Sequence, residues 1–100
     1  FNYEPEGAIN GAWITTLVLD KSYNMNKTEF INKLQEIGVP SRPFFYPLSS
    51  LPPFNSKEEH IRKNKISYDI SNRGVNLPGA YNLTDDNLQF ICDGIRSVLS

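Results

Sequence analysis

Cysteine and histidine are almost missing from this chain, which holds only Cys92 and His60 in 100 residues. One cysteine excludes an intramolecular disulfide and any multi-cysteine metal site, and it fits a reducing compartment. One histidine, sharing a polar turn with Glu58 and Glu59 and with no second ligand at metal spacing, reads as a solvated surface residue rather than a catalytic base. No metal site is expected. The glycines are scattered, and neither a G-x-G-x-x-G pattern nor a P-loop is present. No apolar run approaches the roughly 20 residues that span a bilayer, and no signal-peptide pattern is visible, so no membrane partner and a cytoplasmic location are expected. Charge excess is also absent. Ten basic and eleven acidic residues leave a net charge of -1. With no Lys/Arg run able to track phosphates, nucleic acid is not an expected partner.

What is present makes one domain, residues 1–100, with a thin core. Hydrophobic residues are 39% of the chain and the mean hydropathy is -0.41. A chain of this size hides roughly 60–70% of its unfolded surface, enough for one layer of helices on a small sheet. Phe1 to Gly11 reads as a lead-in loop. Ala12 to Asp20, with Trp13, Ile14, Thr15, Thr16 and Val18, predicts a strand that is apolar on both faces and in need of cover on both. Lys21 to Met25 is a loop. Asn26 and Glu29 form a capping box for a helix burying Phe30, Ile31, Leu34 and Ile37. Gly38 and Pro40 stop that helix.

Ser41 to Tyr46 predicts a short strand, with Pro43 at an edge. Ser56 and Glu59 form a second capping box. A further helical stretch places Ile66 and Ile70 on one face and ends at Gly74. Val75 to Leu77 is a brief strand. Thr84 caps the last helix, with Asp85 and Asp86 at its positive end. Its inner face is Leu88, Ile91, Cys92, Ile95, Val98 and Leu99, which makes Cys92 a buried structural thiol rather than a nucleophile. Phe90 lies on the opposite side. The order β-α-β-α-α-β-α predicts an α+β fold, a small, mainly antiparallel three-stranded sheet with helices packed on one face.

The paired carboxylates Glu58-Glu59 and Asp85-Asp86 are explained by capping. The unusual stretch is Gly38 to Phe54. It contains five of the seven prolines and three of the six phenylalanines. Such a rigid, aromatic, irregular segment is suited to cover or line something. Arg42, pinned between Pro40 and Pro43 and followed by Phe44, Phe45 and Tyr46, has no acid near it in sequence. Two readings stand: a grip on a carboxylate or phosphate, or a guanidinium stacked on the rings for packing. Tyr46 offers a hydroxyl or serves as an edge aromatic with a wet tip. No complete catalytic set emerges from the residues.

Asn10-Gly11-Ala12-Trp13-Ile14-Thr15-Thr16-Leu17-Val18-Leu19-Asp20 resembles the strand that opens the C-terminal domain of the DegT/DnrJ/EryC1/StrS aminotransferases. Gly38-Val39-Pro40-Ser41-Arg42-Pro43-Phe44-Phe45-Tyr46-Pro47-Leu48, followed by Leu51-Pro52-Pro53-Phe54, resembles the next stretch of that domain. The Arg-Pro-Phe-Phe form is most like perosamine-synthase-type members. Val75-Asn76-Leu77-Pro78 with Asn82-Leu83-Thr84 resembles the closing strand and helix start. The pieces fall in order over nearly the whole chain.

The resemblance implies the small C-terminal domain of a fold-type I, pyridoxal-phosphate-dependent enzyme of polysaccharide biosynthesis. That enzyme moves an amino group, with glutamate as donor, onto a nucleotide-linked keto sugar. The Schiff-base lysine and cofactor site belong to a larger N-terminal domain, so no cofactor and no catalytic residue are expected here. Lys21, Lys27, Lys33, Lys57, Lys63 and Lys65 fall outside any matching motif. The chain starts at Phe1, in mid-phrase, which reads as a cut from something longer. The implied partners are the missing N-terminal catalytic domain, a second subunit of a homodimer, and the nucleotide sugar. Arg42, Phe44, Tyr46 and Ser49 are the implied substrate-binding residues. Many relatives carry a histidine where Ser49 stands, and the serine weakens any proton-transfer role there. Two other classes compete: a stand-alone module whose Pro/aromatic loop binds a peptide or sugar, and a structural oligomerisation domain.

Overall fold

The Asn26 side chain accepts a hydrogen bond from the Glu29 amide and starts the first helix where the sequence places it. The Glu29 carboxylate pairs with Lys33 one turn on. The computed structural model describes residues 1–54 and 57–100. Its elements run β1 (Thr16–Val18), α1 (Lys27–Glu36), β2 (Arg42–Pro43), α2 (Glu58–Lys63), α3 (Lys65–Arg73), β3 (Gly74–Asn76) and α4 (Asp85–Leu99). This is the predicted order and the predicted α+β class. The sheet is antiparallel with strand order β1-β3-β2. Helix α1 packs on β2 and β3, α4 packs on α1, and α2 packs on α3.

Eight apolar side chains form the core: Leu17 and Leu19 around β1, Phe30 and Leu34 from α1, Val39, Val75 and Leu77 around β3, and Ile95 from α4. Phe30, Leu34, Val39 and Val75 are fully buried, each contributing about 1.5–3 kcal/mol by removal from water. The turn after α1 aims the chain. Gly38 has φ +85°. Its amide donates to the Gln35 carbonyl (3.0 Å), and the Val39 amide donates to the Leu34 carbonyl (2.8 Å). This is a Schellman motif, which suits glycine because the left-handed conformation costs it nothing. It drops Val39 into the core and sends Pro40 to Pro43 along the sheet edge.

Gly74 caps α3 and opens β3. A Cβ there would lie 2.7 Å from both the Ile70 carbonyl oxygen and the Phe44 Cβ, so the crossing of α3, β3 and the segment after β2 requires glycine. Arg73 fastens α3 to β1. Its guanidinium donates to both carboxylate oxygens of Asp69 and to the Leu19 carbonyl. The Asp69 pKa is lowered, first by that hydrogen bond and then by the charges of Arg73 and Lys21. That of Asp20 is lowered chiefly by the Ser22 amide.

Several expectations need correction. The first strand is Thr16–Val18, not Ala12 to Asp20. Ala12 has φ +48°, which breaks extended geometry, and the Asn2 side chain takes the place of a strand by bonding the Ile14 carbonyl and the Thr16 amide. The Lys21 to Met25 loop holds a 3-10 turn at Lys21–Tyr23. Strand β2 is two residues long, because Pro43 brings no donor. Two more 3-10 turns, Leu48–Ser50 and Pro52–Phe54, follow it. Ile37 and Ile66 are exposed. The capping box assigned to Ser56 lies outside the described residues; α2 begins after Lys57, which makes no side-chain cap.

Helix α4 starts as expected. Thr84 and Asn87 make a reciprocal capping box, although Leu88 and Cys92 are exposed. The reason is Gly94. A Cβ there would meet Ile37 Cδ1 at 2.9 Å and Val39 Cγ2 at 3.2 Å. The α1 terminus therefore settles on Gly94, and the helix buries Gly94 and Ile95. At 100° per residue this turns Cys92 outward.

Candidate functional site

Register across the sheet sets the site. Arg42 and Thr16 both stand opposite Asn76, on either side of β3. Side chains alternate along a strand, so Thr16, Asn76 and Arg42 form a polar row on one face, while Leu17, Val75 and Pro43 share the other. Thr16 Oγ1 lies 3.0 Å from Asn76 Oδ1 as its donor. Asn76 is buried and Arg42 is exposed. No acidic partner of Arg42 is seen among the described residues.

Beside this row the chain opens a cleft of about 420 Å³, lined by Trp13, Ser41, Arg42, Phe45, Asn76 and Pro78 among others. Trp13 and Phe45 stack nearly parallel, with centroids 6.2 Å apart and an interplanar angle of 14°. Trp13 is 79% exposed and Phe45 55%. The Ser41 hydroxyl is buried in the wall and has no hydrogen-bond partner among the described residues.

The four implied substrate-binding residues do not converge on one point. Arg42 lies in the cleft. Phe44 is half-buried against Gly74, bonds the Gly74 carbonyl through its amide (3.0 Å), and tilts against Phe45. Tyr46 is exposed, with the Lys27 ammonium 5.6 Å from its ring centroid. Ser49 Oγ sits 3.0 Å from the Tyr68 hydroxyl, joining the Leu48–Ser50 turn to α3. Arg42 thus marks one end of the Pro/aromatic segment, and Tyr46 and Ser49 mark the other. Trp13 escaped sequence reasoning as a site residue because its neighbours made it look like strand packing. Its signal was an indole with no assigned cover. His60 is half-buried rather than solvated, and its Nδ1 lacks a hydrogen-bond partner among the described residues.

Among the described residues no group of three His, Cys, Asp or Glu could hold a metal, and no helix is long and apolar enough to cross a membrane. A three-stranded antiparallel sheet backed by helices, edged by an aromatic cleft that holds Arg42, is a small α+β domain with a built surface. Sequence comparison places it. Residues 2–96 match the model of the DegT/DnrJ/EryC1/StrS aminotransferase family, and the chain belongs to that family. It is 32% identical over 97 residues to the GDP-perosamine synthase of Vibrio cholerae, covering 94% of this chain and 25% of that protein. It is 31% identical over 74 residues to GDP-perosamine synthase of Escherichia coli O157:H7, covering 74% and 20%. Identity to the Caulobacter vibrioides GDP-perosamine synthase is 27% over 101 residues, covering 96% and 26%. The chain therefore spans about a quarter of the length of these relatives.

Proposed function

We propose that this chain is the C-terminal small domain of a pyridoxal-phosphate-dependent aminotransferase that passes an amino group from glutamate to a nucleotide-linked keto sugar. The domain supplies one wall of the substrate cleft and contacts to the catalytic domain and to a second subunit, in a cytoplasmic enzyme. Family membership over residues 2–96, set against the quarter-length coverage of the relatives, carries this reading. The surface supports it. The chain exposes 7718 Å², whereas a compact monomer of 11.4 kDa exposes about 5,800 Å². The excess includes Trp13, Phe45, Tyr46, Leu48, Phe54 and Phe90, side chains a self-sufficient domain covers.

When bound, pyridoxal phosphate supplies the electron sink for amino transfer. The lysines of this chain do not fit its attachment. A lysine nucleophile is activated by desolvation in a pocket. Lys27 is the half-buried one; its ammonium donates to the Ser71 carbonyl and lies over Tyr46. Lys33 and Lys63 pair with Glu29 and Glu59, Lys21 stands 3.7 Å from Asp69, and Lys57 and Lys65 are exposed. Catalysis is accordingly assigned to a domain outside these residues. In the substrate wall Arg42 holds an anionic group, Phe44 supports the segment from Gly74, and Tyr46 and Ser49 shape the wall further along.

Two tests apply. Pyridoxal phosphate added to the isolated chain should give no specific visible-absorbing adduct; a stoichiometric, borohydride-trapped adduct at one lysine would falsify the assignment. The reading frame upstream of the Phe1 codon should encode an α/β region with a lysine in an active-site context. A start codon a few residues upstream would instead favour a stand-alone module.

A further inference from the structure

Lys27 stands where its own helix disfavours it. It is the first residue of α1, and the N-terminal end of a helix carries partial positive charge that repels a cation. The side chain is half-buried, and no carboxylate pairs with it among the described residues. Its neighbours explain the position. Ser71 lies in the last turn of α3, where the final four carbonyls have no partner within the helix, and it is 3% exposed. The Lys27 ammonium donates to the Ser71 carbonyl, at the end of α3 that favours positive charge. The same ammonium lies 5.6 Å from the centroid of the Tyr46 ring, within cation–π range.

Tyr68 makes a second link from α3. It stands three residues before Ser71, so the two share one face of that helix, and its hydroxyl is 3.0 Å from Ser49 Oγ. Ser49 belongs to a turn closed on itself, in which the Ser50 amide and the Ser50 hydroxyl both donate to the Pro47 carbonyl (2.9 and 2.6 Å). Lys27 thus ties back the residue before this turn, and Tyr68 ties back the turn. We infer that Lys27 and Tyr68 are positioning residues, which fix Tyr46 and Ser49 against α3 so that this part of the wall meets the nucleotide-linked sugar in one geometry. This rests on the proposed function and adds the residues that stand behind the wall. Neither Lys27 nor Tyr68 touches the substrate; each acts through the side chain it holds.

Steady-state turnover of the full gene product with glutamate, pyridoxal phosphate and a GDP-linked keto sugar tests this in Lys27→Met, Lys27→Arg and Tyr68→Phe. Thermal melts set an assay temperature at which each variant is folded. Tyr68→Phe, which loses one oxygen, carries the test should Lys27→Met fail to fold. Lys27→Met and Tyr68→Phe are each expected to raise the KM for the sugar about fivefold or more with kcat within about twofold, the pattern of lost uniform binding. Lys27→Arg keeps the charge and is expected to stay within about twofold of the unsubstituted protein. Hydrogen exchange on the same proteins should show the Ser50 amide losing about fivefold or more of its protection in Tyr68→Phe. An unchanged KM in Tyr68→Phe, a raised KM with Ser50 protection intact, or an arginine variant as impaired as the methionine one each overturns the assignment. If the unsubstituted protein turns over and the variants match it, the positioning role falls and the aminotransferase reading stands. If the unsubstituted protein gives no turnover, both fall.

Discussion

The two sides of this small sheet differ in how they treat apolar residues. On the α1 side, Leu17, Phe30, Leu34, Val39, Val75 and Ile95 are buried against one another. Along the β2 edge, Trp13, Phe45, Tyr46, Leu48 and Phe54 stand in water. Large apolar and aromatic side chains thus have opposite fates within one small domain. The buried set holds the domain together. The exposed set contributes little to its folding and is available to something outside it.

Substitutions sharpen that contrast, beginning with the core. Leu34→Ala should cost about 3–5 kcal/mol in urea unfolding, through lost transfer energy and the cavity left behind. A cost under about 1 kcal/mol would mean that α1 is not seated as described. Gly74→Ala comes next, at about 1–3 kcal/mol, because the new methyl meets backbone at Ile70 and the root of Phe44. Thr84→Ala should cost about 1 kcal/mol through loss of the α4 cap.

Smaller still is a pH effect at Asp69, an exposed group whose charges are screened by solvent. Its folded pKa lies below the ordinary 3.8. Its stabilising contribution is therefore complete above that value and is lost as pH falls through the lowered one. Urea midpoints taken from pH 6 down to about pH 3 should fall less steeply for Asp69→Asn than for the parent sequence; identical slopes would remove Asp69 from the stability of the α3–β1 junction. Last, Trp13→Ser should change the unfolding free energy by less than about 0.5 kcal/mol while raising solubility. A loss comparable to Leu34→Ala would place Trp13 in the core and erase the distinction between the two sides.

The inward side was legible in the sequence because burial there follows local periodicity and capping. Asn26, Gly38 and Thr84 mark their helix ends by their own chemistry, and Phe30 and Leu34 sit four apart on one face. Strand ends were less legible. Where β1 starts depends on Asn2, fourteen residues before Thr16, reaching across to occupy its edge. The face of α4 depends on Gly94 meeting Ile37 and Val39, which no helical pattern within α4 encodes. At the candidate site, Arg42 and its prolines were visible as a rigid, unpaired cation. The Trp13–Phe45 stack was not, because it joins segments about thirty residues apart in the chain through the fold alone.

The most direct test of the domain as one wall of a larger enzyme is turnover. Release of 2-oxoglutarate is measured with glutamate, pyridoxal phosphate and a GDP-linked keto sugar, for the 100-residue chain and for the full product of its gene. Release by the gene product and none by the 100 residues alone is expected. Steady turnover by the chain alone would contradict it.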